Sequence, residues 1–269
     1  MAVGGKGLNQ AVAAARFGAG TRMAGAIGDD AEGAMLRAAL VAEGVDVSAL
    51  DVLADVPSGR ATILIEPAGE NMIAVVPGAN LRARPEAAWQ AIDAETRVLL
   101  AQNEVDIAEM ERLFASDRAA GLTRILNAAP AVPEAARLFP LVDVLIVNQS
   151  ECADFLGLDS EPQGVEDLDV VRRLLTRAGQ SVVVTLGAGG SALVTHEDIV
   201  FAPAFAAPEV VDTSGAGDCF CGVLAACIDL GIGMEAALRY ANAAASLSVG
   251  CKGAAPSMPI RADVDALVG

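Results

Sequence analysis

An α/β fold, with a mostly parallel sheet between layers of helices, is predicted by three features of this 269-residue chain. Short β-branched runs alternate with helix-like stretches along most of its length. The β runs are almost continuously apolar, as strands buried on both faces must be. The composition is 54 % hydrophobic but only 3 % aromatic, and much of the apolar fraction is alanine and valine, residues suited to helices lying close on a sheet. The length fits one domain over 1–269 with a small appendage.

In chain order, Asn9–Phe17 has helical spacing and Arg22–Ile27 reads as a strand. Gly28-Asp29-Asp30 forms a turn and cap before a helix over Ala31–Ala42. Arg60–Glu66 and Asn71–Val76 are consecutive β runs joined by Pro67-Ala68-Gly69-Glu70, which has turn chemistry, so a hairpin over about 59–77 is expected to act as a lid. Strands follow at Val98–Ala101, Arg124–Asn127, Val142–Val147 and Ser181–Leu186, with a further β run at Ala192–Val194 and a β-prone Glu209–Val211. The last third is helical, with Gly215–Leu230, Met234–Val249 and a short helix after Pro259.

Charge and composition exclude several classes of function. Every apolar stretch is too short to span a bilayer, and no apolar segment follows Met1, so a cytoplasmic protein is expected. A net charge of −17 repels phosphate backbones and acidic membranes, which argues against both as partners. A small nucleotide remains compatible, because Mg²⁺ and backbone N–H groups can meet its charge locally. The five cysteines (Cys152, Cys219, Cys221, Cys227, Cys251) include no CxxC pair, and His196, beside Glu197 and Asp198, is the one histidine; free thiols fit better than a zinc site.

Asp212-Thr213-Ser214-Gly215-Ala216-Gly217-Asp218 leads into the helix that runs on from Cys219. A glycine turn at a helix N-terminus directs backbone N–H groups outward, where the orphan donors and the macrodipole favour an anion. An acidic residue in that field suits a base that takes a proton from a hydroxyl while the N–H groups hold phosphoryl oxygens. The alternative is an ordinary acidic first-turn residue. No Walker A motif exists: the lysines are Lys6 and Lys252, and neither sits in GxxxxGK[ST].

Four weaker segments have structural as well as functional readings. Thr185-Leu186-Gly187-Ala188-Gly189-Gly190 ends a strand and could admit a ligand, or could simply turn the chain. Asn148-Gln149-Ser150-Glu151 has capping-box spacing, or could place a carboxylate near a metal-bound phosphate. Gly4-Gly5-Lys6-Gly7-Leu8-Asn9-Gln10 is an anion site or a flexible start with Asn9 near the helix start. Cys251 to Ser257 offers carbonyls to a cation or ends a helix.

Taken in order, GGKGLNQA, GDD, VNQSE, TLGAGG, DTSGAGD, ANAAAS and KGAAPS resemble the ribokinase family of carbohydrate kinases, also called the PfkB family, over nearly the whole chain. The resemblance implies a ribokinase-like sheet with a β lid and transfer of phosphate from ATP to a sugar, most closely D-ribose. Asp218 would be the base, with Gly215, Ala216 and Gly217 as the anion hole. Gly5, Lys6, Gly7, Asn9 and Glu104 would hold sugar hydroxyls. Thr185, Leu186, Gly187, Ala188, Gly189, Gly190 and Asn242 would line the nucleotide site, with Gly217 beside it and Asn148 at its phosphates. Glu151 would serve Mg²⁺ through water, and Asp212, Ser214, Ser248, Cys251, Gly253 and Ser257 would surround K⁺.

The resemblance also implies a core strand and a second part of the lid ahead of GGKG, which these residues do not contain, so a shortened and weakly active kinase is expected. A lid-mediated homodimer is expected by the same likeness. The competing expectations are a kinase for another sugar or a nucleoside, and an inactive remnant that binds nucleotide alone.

Overall fold

A computed structural model of the chain describes residues 2–65, 71–207 and 209–269. Its helices are α1 (Lys6–Phe17), α2 (Ala31–Ala42), α3 (Pro85–Ala91), α4 (Ile107–Phe114), α5 (Gln149–Leu156), α6 (Ala216–Asp229), α7 (Met234–Ser248) and α8 (Arg261–Val268). The strands are β1 (Arg22–Gly28), β2 (Asp46–Leu53), β3 (Arg60–Ile65), β4 (Asn71–Val76), β5 (Val98–Gln102), β6 (Thr123–Asn127), β7 (Val144–Asn148), β8 (Ser181–Thr185), β9 (Gly190–Val194) and β10 (Ile199–Pro203).

The main sheet runs β10-β9-β8-β7-β6-β5. Strands β5 to β8 are parallel, whereas β8, β9 and β10 are joined antiparallel. The parallel strands are covered on both faces, and the period-2 alternation of a strand decides which residue meets which layer. In β7, Val144 and Ile146 join the apolar layer built with α1, α6 and α7, while Leu145 and Val147 join the layer built with α4 and α5.

Strands β1 and β2 form a separate parallel pair. No described strand pairs with the facing edges of β1 and β5. A cavity of about 710 Å³ lies there, lined by Arg22 to Gly25 on one side and Val98 to Gln102 on the other.

Local chemistry accounts for most boundaries. Asp30 caps α2 by accepting from the Gly33 N–H at 2.7 Å, and Asp106 caps α4 through the Ala108 and Glu109 N–H groups. Gly18 ends α1 in the left-handed region, at φ 107°, with its N–H on the Ala15 carbonyl. Two segments depart from expectation. Helix α1 begins at Lys6, not near Asn9, because Gly5 takes the cap position and the Glu104 carboxylate accepts the Lys6 N–H at 3.0 Å. Glu209–Val211 is not a strand; the Val211 and Asp212 N–H groups both donate to the Val249 carbonyl, tying this exposed stretch to the end of α7.

The hairpin expected to act as a lid is the antiparallel pair β3–β4, with Arg60 opposite Val76 and Ile65 opposite Asn71. The expected turn at Pro67-Ala68-Gly69-Glu70 lies outside the described residues. Asp30 anchors the segment before β3 as well as capping α2: its carboxylate accepts from the Ser58 N–H at 2.8 Å and the Ser58 hydroxyl at 2.7 Å. Among the described residues, no helix is long and apolar enough to cross a membrane.

Candidate active site

The carboxyl ends of β6, β7 and β8 and the N-terminus of α6 converge on a small cavity of about 120 Å³. Lys6, Asn148, Glu151, Thr185, Gly217 and Asp218 contribute to its wall. Segments far apart in sequence therefore meet where open α/β sheets present ligand sites, beyond the carboxyl ends of the strands.

Asp218 lies in the first turn of α6 and is 8 % exposed. Gly215 caps that helix at φ 80°, and a Cβ there would fall 2.8 Å from the Ala254 Cβ, so only glycine fits. The Asp218 carboxylate accepts from Asn9 Nδ2 at 2.8 Å and from Gln10 Nε2 at 3.0 Å. Burial holds its pKa above the ordinary aspartate value, against the opposing charge of Lys6 and the two amide donors. A buried carboxyl raised in this way, yet provided with donors for its ionised form, is suited to accepting a proton.

Two further carboxyls share the field of Lys6. Burial raises the pKa of Glu104, opposed by the Lys6 N–H and charge, with the Asp218 charge adding to the rise. Glu151 is likewise raised by burial, opposed by the Asn148 N–H and Lys6 and assisted by Asp154 and Asp218. The capping box is fully formed: Asn148 Oδ1 accepts the Glu151 N–H at 2.7 Å, and Glu151 Oε2 accepts the Asn148 N–H at 2.9 Å. The structural reading of this segment thus holds, and it delivers both side chains to the cavity wall.

The glycine run after β8 divides into two parts. Gly187, Ala188 and Gly189 are exposed at the strand's carboxyl end, with Leu186 buried beneath them. Gly190 is held by packing: at φ 112°, a Cβ would lie 2.3 Å from the Ala202 carbonyl oxygen. Asn242 is 4 % exposed and spends its amide on the Ala202 carbonyl at 2.9 Å, pinning the end of β10. Within the glycine turn before Asp218, the Ala216 N–H donates to the Thr213 carbonyl at 3.3 Å.

The loops containing Asp212, Ser214, Cys251, Gly253 and Ser257 are brought together. Asp212 accepts from the Ser214 N–H and the Gly253 N–H, each at 2.9 Å, and these bonds hold its carboxyl below the ordinary range. The Ser248 carbonyl accepts the Cys251 N–H, and the Ser257 hydroxyl donates to the Ala254 carbonyl at 2.7 Å. The donor set is one carboxylate among backbone carbonyls, without a cluster of three or more His, Cys, Asp or Glu side chains among the described residues. Such a set suits a weakly bound monovalent cation better than a transition metal.

Two buried residues of the site escape a reading of single motifs, Gln10 and Asn127. Gln10 follows Lys6 by four positions, the spacing that places both on one face of α1. That spacing was the available signal; Asn127 carries none beyond ending an apolar strand.

The pfkB family carbohydrate kinase model matches residues 1–261. The ribokinase of Bacillus subtilis is 35 % identical over 267 residues, which cover 98 % of this chain and 87 % of that protein. The bifunctional ribokinase/ribose-5-phosphate isomerase A of Fructilactobacillus sanfranciscensis is 34 % identical over 262 residues, and the chain spans 48 % of its length. Among solved structures, Arabidopsis thaliana ribokinase in complex with ribose and ATP superposes with a TM-score of 0.88 at 31 % identity, covering 98 % of this chain and 87 % of that one.

Proposed function

The chain belongs to the pfkB family of carbohydrate kinases, and from that membership we propose that it transfers the γ-phosphoryl group of ATP to the primary hydroxyl of D-ribose, giving ribose 5-phosphate. The observation that carries this reading is Asp218: a buried carboxylate at a helix N-terminus, gripped by two amides, beside a glycine turn. The hydroxyl proton passes to Asp218 as the sugar oxygen bonds to phosphorus and the bond to the ADP oxygen breaks. The α6 N-terminus faces the transferred oxygens with N–H donors and the positive end of its dipole.

Asn9 supports a sugar on this side of the site. Its Oδ1 is buried without a partner among the described residues, an acceptor that a ligand hydroxyl would satisfy. Glu104 adds a carboxylate held against the start of α1. Glu151, with one carboxylate oxygen on the Asn148 N–H, would serve a magnesium ion through water. That ion would neutralise phosphate charge when bound. Lys6 is the cation of the cavity wall, placed to balance the three surrounding carboxyls. The carbonyl-rich loops around Asp212 fit K⁺, which would order the turn that begins α6.

The test is ADP formation with D-ribose, 2-deoxyribose, fructose, a nucleoside and no acceptor, repeated with Asp218→Asn. D-ribose should give the highest kcat/KM, and Asp218→Asn should lower kcat by roughly 10²- to 10⁴-fold with ATP affinity little changed. Because burial raises the Asp218 carboxyl, the acid limb of the wild-type profile should lie above the ordinary aspartate range. Near-normal turnover in the variant would remove Asp218 from the base role. A second reading, a protein that binds nucleotide without turnover, is favoured by the unfilled space between β1 and β5, which reaches Gly7 and Gln102. ATP binding with no acceptor-dependent ADP would select it.

A further inference from the structure

Gln10 contacts Asp218 from behind the cavity wall and has no part in the transfer as described. It is 2 % exposed, and its Nε2 donates both to Asp218 Oδ1 at 3.0 Å and to Asn127 Oδ1 at 3.1 Å. Those acceptors use both hydrogens of the amide nitrogen. A flipped amide would turn its oxygen toward a carboxylate and a carbonyl, so the orientation is set by its surroundings. Asn127, 7 % exposed, ends β6 and is fixed by the sheet. Gly222, one helical turn beyond Asp218, allows α1 to approach α6 closely enough for this contact: a Cβ there would lie 2.3 Å from the Gln10 carbonyl oxygen.

We propose that Gln10, held by Asn127, is a positioning residue for Asp218, locking the carboxylate so that a free lone pair faces the substrate hydroxyl. The proposal rests on the reading of Asp218 as the base. A carboxylate offers about four acceptor sites. Asn9 occupies one on Oδ2 and Gln10 one on Oδ1, which leaves acceptor capacity on each oxygen.

The chemistry of the donor matters. Burial opposes ionisation of Asp218 and Lys6 at the start of α1 favours it, while the Asp218 charge in turn raises Glu104, just beyond β5, and Glu151 on α5. A second cation in place of Gln10 would hold the carboxylate equally well but would weaken it as a base. A neutral amide fixes the geometry and favours the ionised form with a smaller loss of basicity than a cation would bring. Asn127 completes the arrangement, since without it the second N–H of Gln10 would be buried unpaired.

The test uses Gln10→Met, which keeps approximate volume but has no donors, with Asn127→Ala and the double variant. The direct readout is the pH titration of the Asp218 carboxyl carbon by ¹³C NMR, assigned by its absence in Asp218→Asn. In Gln10→Met the titration should move to higher pH, and kcat should fall roughly tenfold to a hundredfold while KM for ATP changes little. Asn127→Ala should act in the same direction, and the double variant should fall short of the product of the single effects. A role in packing alone would lower Tm and leave the Asp218 titration in place, and that outcome in either folded single variant overturns the proposal. Should Gln10→Met fail to fold, Asn127→Ala decides, because it leaves the α1–α6 contact untouched. The titration needs no turnover, so an inactive wild type would count against the kinase reading while leaving this inference open to direct refutation.

Discussion

Replacing Gly222 with alanine would test whether the approach of α1 to α6 sets the geometry around Asp218. The added Cβ would fall 2.3 Å from the Gln10 carbonyl oxygen and 2.7 Å from the Ala13 Cβ. The closest of these neighbours is backbone, so relief requires the helices to separate, by about 1 Å for ordinary contact. Overpacking of this kind costs about 1–3 kcal/mol. The better helix propensity of alanine offsets about 1 kcal/mol of that. For a chain of this size the net loss amounts to a Tm decrease of only a few degrees, at about 2–4 °C per kcal/mol. The effect on chemistry should be larger. Asn9 and Gln10 reach Asp218 at 2.8 and 3.0 Å, so a separation of that order breaks both bonds. A 1 Å misplacement near reacting groups can cost about 10²-fold. Differential scanning calorimetry and sugar-dependent ADP formation would be measured on the same preparations. Wild-type turnover together with an unchanged or higher Tm would refute the claim that Gly222 governs the site.

Three other outcomes are expected. Replacing a large organic cation with K⁺ at constant ionic strength should raise activity, and Asp212→Ala should remove the difference; equal wild-type rates in the two salts would count against a cation between these loops. Arg16 binds the Glu43 carboxylate at 2.6 and 2.7 Å and holds its pKa below the ordinary value, so the stabilisation is present above the unfolded pKa and is lost as pH falls through the folded one. Glu43→Gln should therefore lower stability in urea at pH 7 by about 1 kcal/mol, with the gap to wild type closing below about pH 4; a gap that persists in acid would show that the pair acts through packing. Thiol alkylation of the native protein, read by mass spectrometry, should modify the exposed Cys251 alone. Burial pushes Cys152 up to about 11 and Cys219 and Cys227 up to about 12, and Cys221 is also buried, so native labelling on α6 would contradict this packing.

Much of the fold was legible because its causes are local. The helix over Ala31–Ala42, the capping box at Asn148 and Glu151, and the apolar strands β5 to β8 each follow from residues within a few positions of one another. The placement of Asp218 at the start of α6 was legible for the same reason, since the glycine turn and the helix are adjacent. Strand β2, Asp46–Leu53, was not, because its acidic residues hide any alternation and it is a strand through pairing with β1. The β-prone Glu209–Val211 shows the converse: valines without a neighbouring strand do not make one.

The contacts that make the site lie beyond any window of sequence. Gln10 meets Asp218 across 208 positions and Asn127 across 117, and neither spacing has a pattern that chain-local chemistry could impose. Composition and motifs determined which groups were available: a carboxylate, amides, a lysine and a glycine turn. Packing decided which of them touch. The missing side chain of Gly222 lets two helices close until an amide on one reaches a carboxylate on the other, and the ends of three parallel strands supply the wall against which both are held.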